Sequence, residues 1–292
     1  MEKVYISVDI GGTGIKCGRV LSGGIIEDRI QRDTPEGTGE ELLDLLADMI
    51  GTLMTKETAG IGIAALGSVD EKRGMVTGAC ENLPQLRLLP LKEMLEARFG
   101  LPVWVRNDVN AAALGEAFFG AGRGLSQFYC LTLGTGIGGA LVVGNRVLSG
   151  ANGQAGEIGY LHRTEAGCYE ERASVRAFLR HCQACGDDRT DGVEVFQEAL
   201  SGGKNRDIFQ AWLRQVARGI CEVVYLLDPG TVVIGGGVSA YGDLLCQPLT
   251  EMVDELLLPD FRGGTKVVVA AATGNNANLL GAVAGQHPEQ NG

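Results

Sequence analysis

The sequence predicts a two-lobed α/β fold built on a repeated strand–turn–strand unit. Three observations carry that expectation. Strand-length apolar segments alternate with amphipathic helical ones along most of the 292 residues, which implies a largely covered, mixed sheet. The chain opens with a short apolar strand, Val4 to Val8, that runs into Asp9-Ile10-Gly11-Gly12-Thr13-Gly14-Ile15-Lys16. The same organisation, a strand, a polar Gly-Thr-Gly turn, a second strand and a tight turn, recurs over 128–150.

Each element follows from its local pattern. Alternating apolar residues over 16–30, around Ser22-Gly23-Gly24, form a hairpin signal, so 4–30 reads as a three-stranded antiparallel meander. Leu42, Leu43, Leu45, Leu46, Met49, Ile50 and Leu53 fall on a helical period and predict a helix over 40–54. A buried strand over 60–66 precedes the Gly67-Ser68-Val69-Asp70 turn. A helix over 91–99 stops at Gly100, and a strand over 102–106 leads into Asn107-Asp108-Val109-Asn110 and an alanine-rich helix over 111–119. A strand over 128–133, the turn from Gly134 to Gly139 and a strand over 140–143 closed by Gly144-Asn145 make the second hairpin. The stretch 150–159 is too rich in glycine to be helical and carries Glu157. Helices follow over 170–182 and 206–227, the second ended by Asp228-Pro229. A strand over 231–234 delivers Gly235-Gly236-Gly237, a helix covers 242–257, a strand 266–271, and a closing helix 278–285 before a frayed tail after Gln286.

Composition narrows the function classes. No apolar run approaches a membrane span, and the N-terminus enters a strand without a basic region and cleavage site, so the chain reads as mature and cytoplasmic. A net charge of −11, with the basic residues scattered, argues against a nucleic-acid partner, which needs a concentrated basic face. A site for a phosphorylated ligand must then rely on glycine amides, helix N-termini and a bound cation. Eight cysteines in a chain of this length read as reduced thiols, with Cys17, Cys80, Cys130 and Cys221 in apolar surroundings. A zinc site could be assembled on paper from His162, Cys168, His181, Cys182 and Cys185, but the spacing fits no finger or ribbon with two matched pairs.

Two stretches carry chemistry. In the first turn, glycines let backbone N–H groups approach an anion, Asp9 can hold a divalent cation, and Thr13 and Lys16 add a hydroxyl and a positive charge. An empty glycine hairpin is the competing reading. At 107–110 three polar side chains sit at the end of a strand, where open α/β sheets put their chemistry; helix capping is the competing reading and needs only one of them. Gly134, Gly136 and Gly139 satisfy GxGxxG, but a strand follows where the dinucleotide fingerprint needs a helix, which removes the dehydrogenase reading. Two phosphate-grade hairpins, each opening an α/β unit, suggest a duplicated fold with one nucleotide held between two lobes. That is the actin-like, ribonuclease H-like arrangement.

Five motifs occur in order: Asp9-Ile-Gly-Gly-Thr-x-x-Lys16, Asn107-Asp108, Leu133-Gly-Thr-Gly-Ile-Gly-Gly139, Gly156-Glu157-Ile-Gly159 and Ile234-Gly-Gly-Gly237. Together they resemble the ROK family, which includes glucokinases, N-acetylmannosamine kinases, β-glucoside kinases and sugar-responsive repressors, and the resemblance covers nearly the whole chain. It implies a small lobe at 1–108 plus 278–292, a large lobe at 109–277, and an active site in the cleft between them. By the same resemblance Gly11, Gly12, Thr13 and Lys16, with Gly134, Thr135, Gly136 and Gly138, would hold the ATP phosphates. Gly235, Gly236 and Gly237 would lie against the adenosine and Asp9 on the Mg²⁺ side. Asn107 and Asp108 would bind the sugar, with Asp108 as general base on the attacking hydroxyl, O6. Glu157 and Glu170 would grip the other end of the ring, the latter from Gly167-Cys168-Tyr169-Glu170, a match to the family's GCLE. Asn82, in Glu81-Asn82-Leu83-Pro84, matches a sugar-side segment.

One departure is instructive. Most members read GEIGH followed by a CxCGxxGC loop whose histidine and cysteines hold zinc. Here Tyr160 stands for the histidine, the loop shrinks to Leu161-His162-Arg163-Thr164-Glu165-Ala166, and Cys168 alone of the cysteines remains. No structural zinc is expected there, and the loop should be supported by packing alone. Tyr160, at a position that touches the sugar near its anomeric end, resembles the GEFGY of zinc-less β-glucoside kinases, so glucose or a β-glucoside is the favoured sugar and N-acetylmannosamine the alternative. A repressor of the family would need an N-terminal helix-turn-helix, for which Asp9 leaves no room, and a non-catalytic sugar binder is disfavoured by the intact Asp108. A homodimer is compatible with the resemblance, though no sequence feature shows one.

Overall fold

In the computed structural model, which describes residues 3–78, 80, 82–165, 167–189, 191–269 and 276–286, the expected meander opens the chain. Glu81, Ala166, Ala270, Ala271 and the tail after Gln286, on which parts of the reading fall, lie outside the described residues. The chain divides into two compact units, one of Met1–Gly124, Asn145–Ala155 and Asn275–Gly292, the other of Leu125–Gly144 and Gly156–Gly274.

In the first unit β1 (Val4–Ile10), β2 (Gly14–Leu21) and β3 (Ile26–Asp33) are antiparallel neighbours. Helix α1 (Gly39–Leu53) begins at a capping box, with Thr38 and Glu41 each accepting the other's backbone N–H. Its face of Leu42, Leu46, Met49 and Ile50 packs into one apolar cluster with Ile6, Val8, Ile61 and Ile63 of the sheet. Strand β4 (Thr58–Ala65) pairs parallel to β1. A small hairpin of β5 (Ser68–Asp70) and β6 (Met75–Gly78) stands where the sequence suggested only a turn. After α2 (Leu91–Phe99), β7 (Val103–Asn107) pairs parallel to β4 and runs directly into α3 (Asp108–Phe119). The strand order is β3-β2-β1-β4-β7.

The second unit repeats this plan. Strands β8 (Gln127–Leu133) and β9 (Ile137–Val143) form the hairpin, and the chain then passes through the short strand β10 (Arg146–Val147) of the first unit. Helices α4 (Glu170–Ala173), α5 (Val175–Ala184), α6 (Gly192–Leu200) and α7 (Arg206–Leu227) precede β11 (Thr231–Gly235), which lies parallel to β8. Helix α8 (Asp243–Leu256) then leads to β12 (Lys266–Val269), parallel to β11. The strands of this unit run β9-β8-β11-β12. Phe178, Phe196, Phe209 and Trp212 centre its core, with Phe196 and Phe209 nearly perpendicular at 5.4 Å between centroids.

The closing helix α9 (Ala277–Val283) belongs to the first unit and is tied to its sheet by side chains. Ser7 Oγ donates to the Leu279 carbonyl at 2.5 Å, and Arg106 Nη1 donates to the Gly281 and Ala284 carbonyls at 2.7 and 2.8 Å. The Ala284 carbonyl is of the kind a helix C-terminus leaves open, while that of Gly281 also accepts the Ala284 N–H at 3.2 Å. Gly281 lies against the Ala111 carbonyl and Gly115 against that of Ala277, so α3 and α9 cross backbone to backbone.

Two expectations are corrected. The helix expected over 170–182 is two helices, because Ser174 breaks it and caps α5 by accepting from Ala177 N–H, while Trp212 Nε1 takes the carbonyls of Ala173 and Ser174. The helix expected from 111 starts at Asp108, because Asn107 supplies the cap. The first unit keeps α3, which crosses α9. Helix α6 is new; Asp191 caps it by accepting Val193 N–H, and Val195, Phe196 and Ala199 lie on its buried face.

Candidate active site

The first unit gathers its polar residues at the C-terminal ends of its parallel strands. Asp9 lies level with Ala64 and Ala64 with Arg106, so the end of β1 and the Asn107-Asp108 junction sit at one sheet edge, two strands or about 10 Å apart. The turn between β1 and β2 is braced from within and from β3. Gly11 N–H donates to the Gly14 carbonyl at 3.1 Å, Thr34 Oγ1 to the Gly11 carbonyl at 2.7 Å, and Thr34 N–H to the Thr13 carbonyl at 3.2 Å. Gly12 and Thr13 are exposed at its tip, and Asn82 stands next to Gly12, 3.8 Å from where a Cβ there would be.

Asp9 is held below the surface, its side chain 14% exposed. Asn278 Nδ2 donates to its Oδ1 at 2.9 Å, and Lys16 Nζ, directly across the strand pair, is 3.9 Å from Oδ2. Burial nevertheless dominates and raises the Asp9 pKa, against the lowering effects of Asn278 and then Lys16. A buried carboxylate whose charge is only partly compensated, beside a turn of glycine amides, fits a hard divalent cation brought in with a polyphosphate. Asn278 and Thr34 are the residues that sequence reasoning missed; 269 positions separate Asn278 from Asp9, so no spacing rule could join them.

At the β7–α3 junction the two polar residues divide the work. Asn107 is the N-cap: its Oδ1 accepts from Asn110 N–H at 3.0 Å. Its Nδ2 donates to the Gly67 carbonyl at 2.9 Å and to Asp108 Oδ1 at 3.0 Å. Asp108, the first residue of the helix, also accepts Val109 N–H on Oδ1 at 2.9 Å. Capping is therefore real but falls to Asn107, and Asp108 is oriented by it instead of being consumed by it.

In the second unit the glycine motifs converge on one another. Gly134 N–H donates to the Gly136 carbonyl at 3.0 Å, the counterpart of the bond in the first turn. Thr132 pairs with Gly235 across parallel strands, which sets Gly235 to Gly237 beside this turn. Gly236 has φ +86° and packs on the Leu133 carbonyl, a place where any side chain would both strain and collide. Gly156 has φ +93° against the Gly139 carbonyl, so Glu157 is delivered by a backbone that lies directly on β9. The two hairpins are not chemically equal: where the first carries Asp9 opposite Lys16, the second carries Thr132 opposite Gly138.

Glu157 has a raised pKa, from burial first and from the Glu170 charge second. Glu170 opens α4 and its Oε2 accepts from Ile137 N–H at 3.1 Å. Tyr160 closes the short helical turn Ile158–Tyr160 and is 44% exposed. Of the expected ligands, Asp9, Gly11, Gly12, Thr13, Lys16, Asn82, Asn107 and Asp108 lie in the first unit, and Gly134, Thr135, Gly136, Gly138, Glu157, Tyr160, Glu170 and Gly235 to Gly237 in the second.

The loop after Tyr160 is not held by packing alone, and that expectation is corrected. His162 Nε2 and Glu222 Oε1 of α7 are 2.6 Å apart, Thr164 and Gly167 form an antiparallel bridge, and Tyr169 N–H donates to the Leu161 carbonyl at 2.8 Å. Cys168 N–H donates to Glu171 Oε2 at 2.9 Å. A chain too short to bury an apolar loop core is fixed here by polar ties. Among the described residues no group of three or more His, Cys, Asp or Glu is placed to hold a metal. Cys182 is buried, its pKa pushed up to about 11 chiefly by that burial, while Cys185 is exposed. Among the described residues no helix is long and apolar enough to cross a membrane.

Comparison with known proteins finds one family and a set of relatives over nearly the whole chain. The ROK family model matches residues 5–287. A glucokinase of Streptomyces coelicolor is 35% identical over 307 aligned positions, covering 95% of each chain. A β-glucoside kinase of Listeria monocytogenes is 32% identical over 290 positions, covering 94% of each. Among solved structures, a ROK family glucokinase from Streptomyces griseus in complex with glucose and AMPPNP superposes with a TM-score of 0.83 at 34% identity, covering 97% of this chain and 100% of that one. The duplicated α/β plan is the actin-like ATPase fold.

Proposed function

The chain belongs to the ROK family and is a sugar kinase, and on that premise we propose that it moves the γ-phosphoryl group of ATP to O6 of a hexose with Asp108 as general base. The observation that carries the reading is the β7–α3 junction. Asn107 caps the helix and holds Asp108 Oδ1 together with Val109 N–H, which fixes the carboxylate at the end of the strand. A carboxylate so oriented takes the proton of the attacking hydroxyl as the O–P bond forms and ADP departs. Phosphoryl transfer asks the rest of the protein mainly for position and charge compensation. Gly11, Gly12, Thr13 and Lys16, with Gly134, Thr135, Gly136 and Gly138, are assigned to the phosphates, and Gly235 to Gly237 to the adenosine. Asp9 is assigned to the Mg²⁺ that accompanies ATP; when bound, that ion supplies neutralisation of phosphate charge.

Glu157 and Glu170 are assigned to sugar hydroxyls, with Tyr160 at the anomeric end and Asn82 beside the first turn. Asn107 keeps a supporting part in this assignment, since both Nδ2 hydrogens are engaged within the protein. The exposed Tyr160 and the shortened loop favour a β-glucoside or a sugar with a bulky C1 substituent as well as free glucose. ADP release measured with and without hexose tests the reaction. Asp108→Asn should lose about 10²- to 10⁴-fold in turnover while retaining sugar and nucleotide binding, and an unchanged rate would remove the general-base assignment. Turnover on glucose, cellobiose and N-acetylmannosamine tests the sugar; phosphorylation of glucose alone would sink the β-glucoside reading.

A further inference from the structure

Glu170 touches more than a sugar ligand should. Its Oε2 accepts from Ile137 N–H at 3.1 Å, the residue that closes the second glycine turn. A Cβ added at Gly136 would come within 2.7 Å of the same oxygen, and one at Gly159 within 3.0 Å. The carboxylate is therefore seated between the Gly134–Gly136 turn on one side and the Gly156–Gly159 stretch that delivers Glu157 on the other. Its own backbone is fixed: Tyr169, the residue before it, donates N–H to the Leu161 carbonyl and Oη to the buried Val216 carbonyl at 3.1 Å. The helix break at Ser174 holds the other end of the same turn, because Val175 N–H donates to the Gly134 carbonyl at 3.0 Å. One short segment, 169–175, thus clamps the turn at both its first and last residues.

We propose that Glu170 is a positioning residue for the nucleotide turn and couples sugar occupancy to nucleotide binding. The proposal rests on the kinase reading above and deepens it. A carboxylate has two oxygens; a hydroxyl donating to one restricts rotation of the group and so firms the bond that the other makes to Ile137 N–H. Sugar and nucleotide then bind with positive coupling through a single side chain, and the coupling is reciprocal. The pKa of Glu157 is raised by burial first and by the Glu170 charge second, which agrees with the two carboxylates lying near one another.

The test is AMPPNP affinity in the absence of sugar, for the wild type, Glu170→Ala and Glu170→Gln, with circular dichroism as a control for folding. Loss of a hydrogen bond to a charged acceptor should weaken sugar-free AMPPNP binding about tenfold in Glu170→Ala, and Glu170→Gln, which keeps an acceptor oxygen, should recover part of it. Unchanged sugar-free affinity in Glu170→Ala, together with weakened glucose binding, would make Glu170 a sugar contact only and overturn the proposal. A wild-type protein that binds no AMPPNP at all would overturn the kinase reading and the coupling with it. If Glu170→Ala does not fold, amide hydrogen exchange on the wild type decides. Glucose should slow exchange in the peptide over 133–140, and no change there would overturn the coupling.

Discussion

Asn278→Ala is the sharpest perturbation the first unit offers. It removes the amide that donates to Asp9 Oδ1 at 2.9 Å and leaves Lys16, at 3.9 Å from the other oxygen, as the remaining compensation described for that carboxylate. Hydrogen bonds to charged groups contribute about 1.5–3 kcal/mol. Asn278 is only half-buried, so water can replace part of the lost donor. The Mg²⁺ concentration that half-saturates phosphorylation at fixed ATP and sugar should rise by at most about tenfold, the lower end of that range, because the lost orientation of Asp9 is offset in part by its less compensated charge. The pH dependence follows from the same carboxylate. Its pKa is already raised by burial, and Asn278 is the largest influence holding it down, so removing the amide raises it further. On the proposed role of Asp9 toward the cation, its ionised form is the working one, so the acid limb of the pH–rate profile should move to higher pH in the variant. A variant that folds normally, keeps its Mg²⁺ half-saturation within about twofold (a ΔΔG of roughly 0.4 kcal/mol) and shows an unmoved acid limb would refute the argument.

Three further outcomes are expected. Asp9→Asn should raise the melting temperature while abolishing turnover. A folded pKa above the unfolded value means that the carboxylate's contribution is fully present below the unfolded pKa and is lost as pH rises through the folded one, so at neutral pH its ionisation costs stability. Gly156→Ala should cost about 1–3 kcal/mol by denaturant titration, because φ +93° and the Gly139 carbonyl both oppose a side chain; a neutral effect would show that the 156–160 stretch relaxes freely. His162→Ala should shift stability by under about 1 kcal/mol, since the pair with Glu222 is largely solvated, yet raise the sugar KM about two- to fivefold by loosening the loop behind Tyr160. A KM that does not move would detach that loop from the site.

Much of the architecture was legible because period and punctuation agree in this chain. Glycines stand where strands end, and both hairpins and their parallel partners follow from short apolar runs bounded by turns. The helix break at Ser174 was not legible, since 170–182 reads as one amphipathic face. Ser174 makes the break and caps α5, but it is held there by distant groups, the Gly134 carbonyl and the Trp212 indole, which no local pattern reveals. The candidate site divides the same way. Asp9 and Asp108 lie in motifs whose chemistry can be read directly, whereas Thr34, Asn278 and the bond from Ile137 to Glu170 exist only through tertiary contact. Asn107 marks the middle ground: sequence identified it as important but could not say that its amide is spent on the protein itself.

The closing helix has a consequence for how the protein is made. Strand β1 leaves the ribosome long before the amide that orients Asp9, which lies 269 residues later. The Arg106 guanidinium and the Ser7 hydroxyl wait for acceptors on the same late helix. The second unit is encoded in between and ends before the first receives its last strut. The Asp9 carboxylate gains its amide partner only once residue 278 has been made, so a chain stalled before that point would carry every glycine motif and still lack a properly held Asp9.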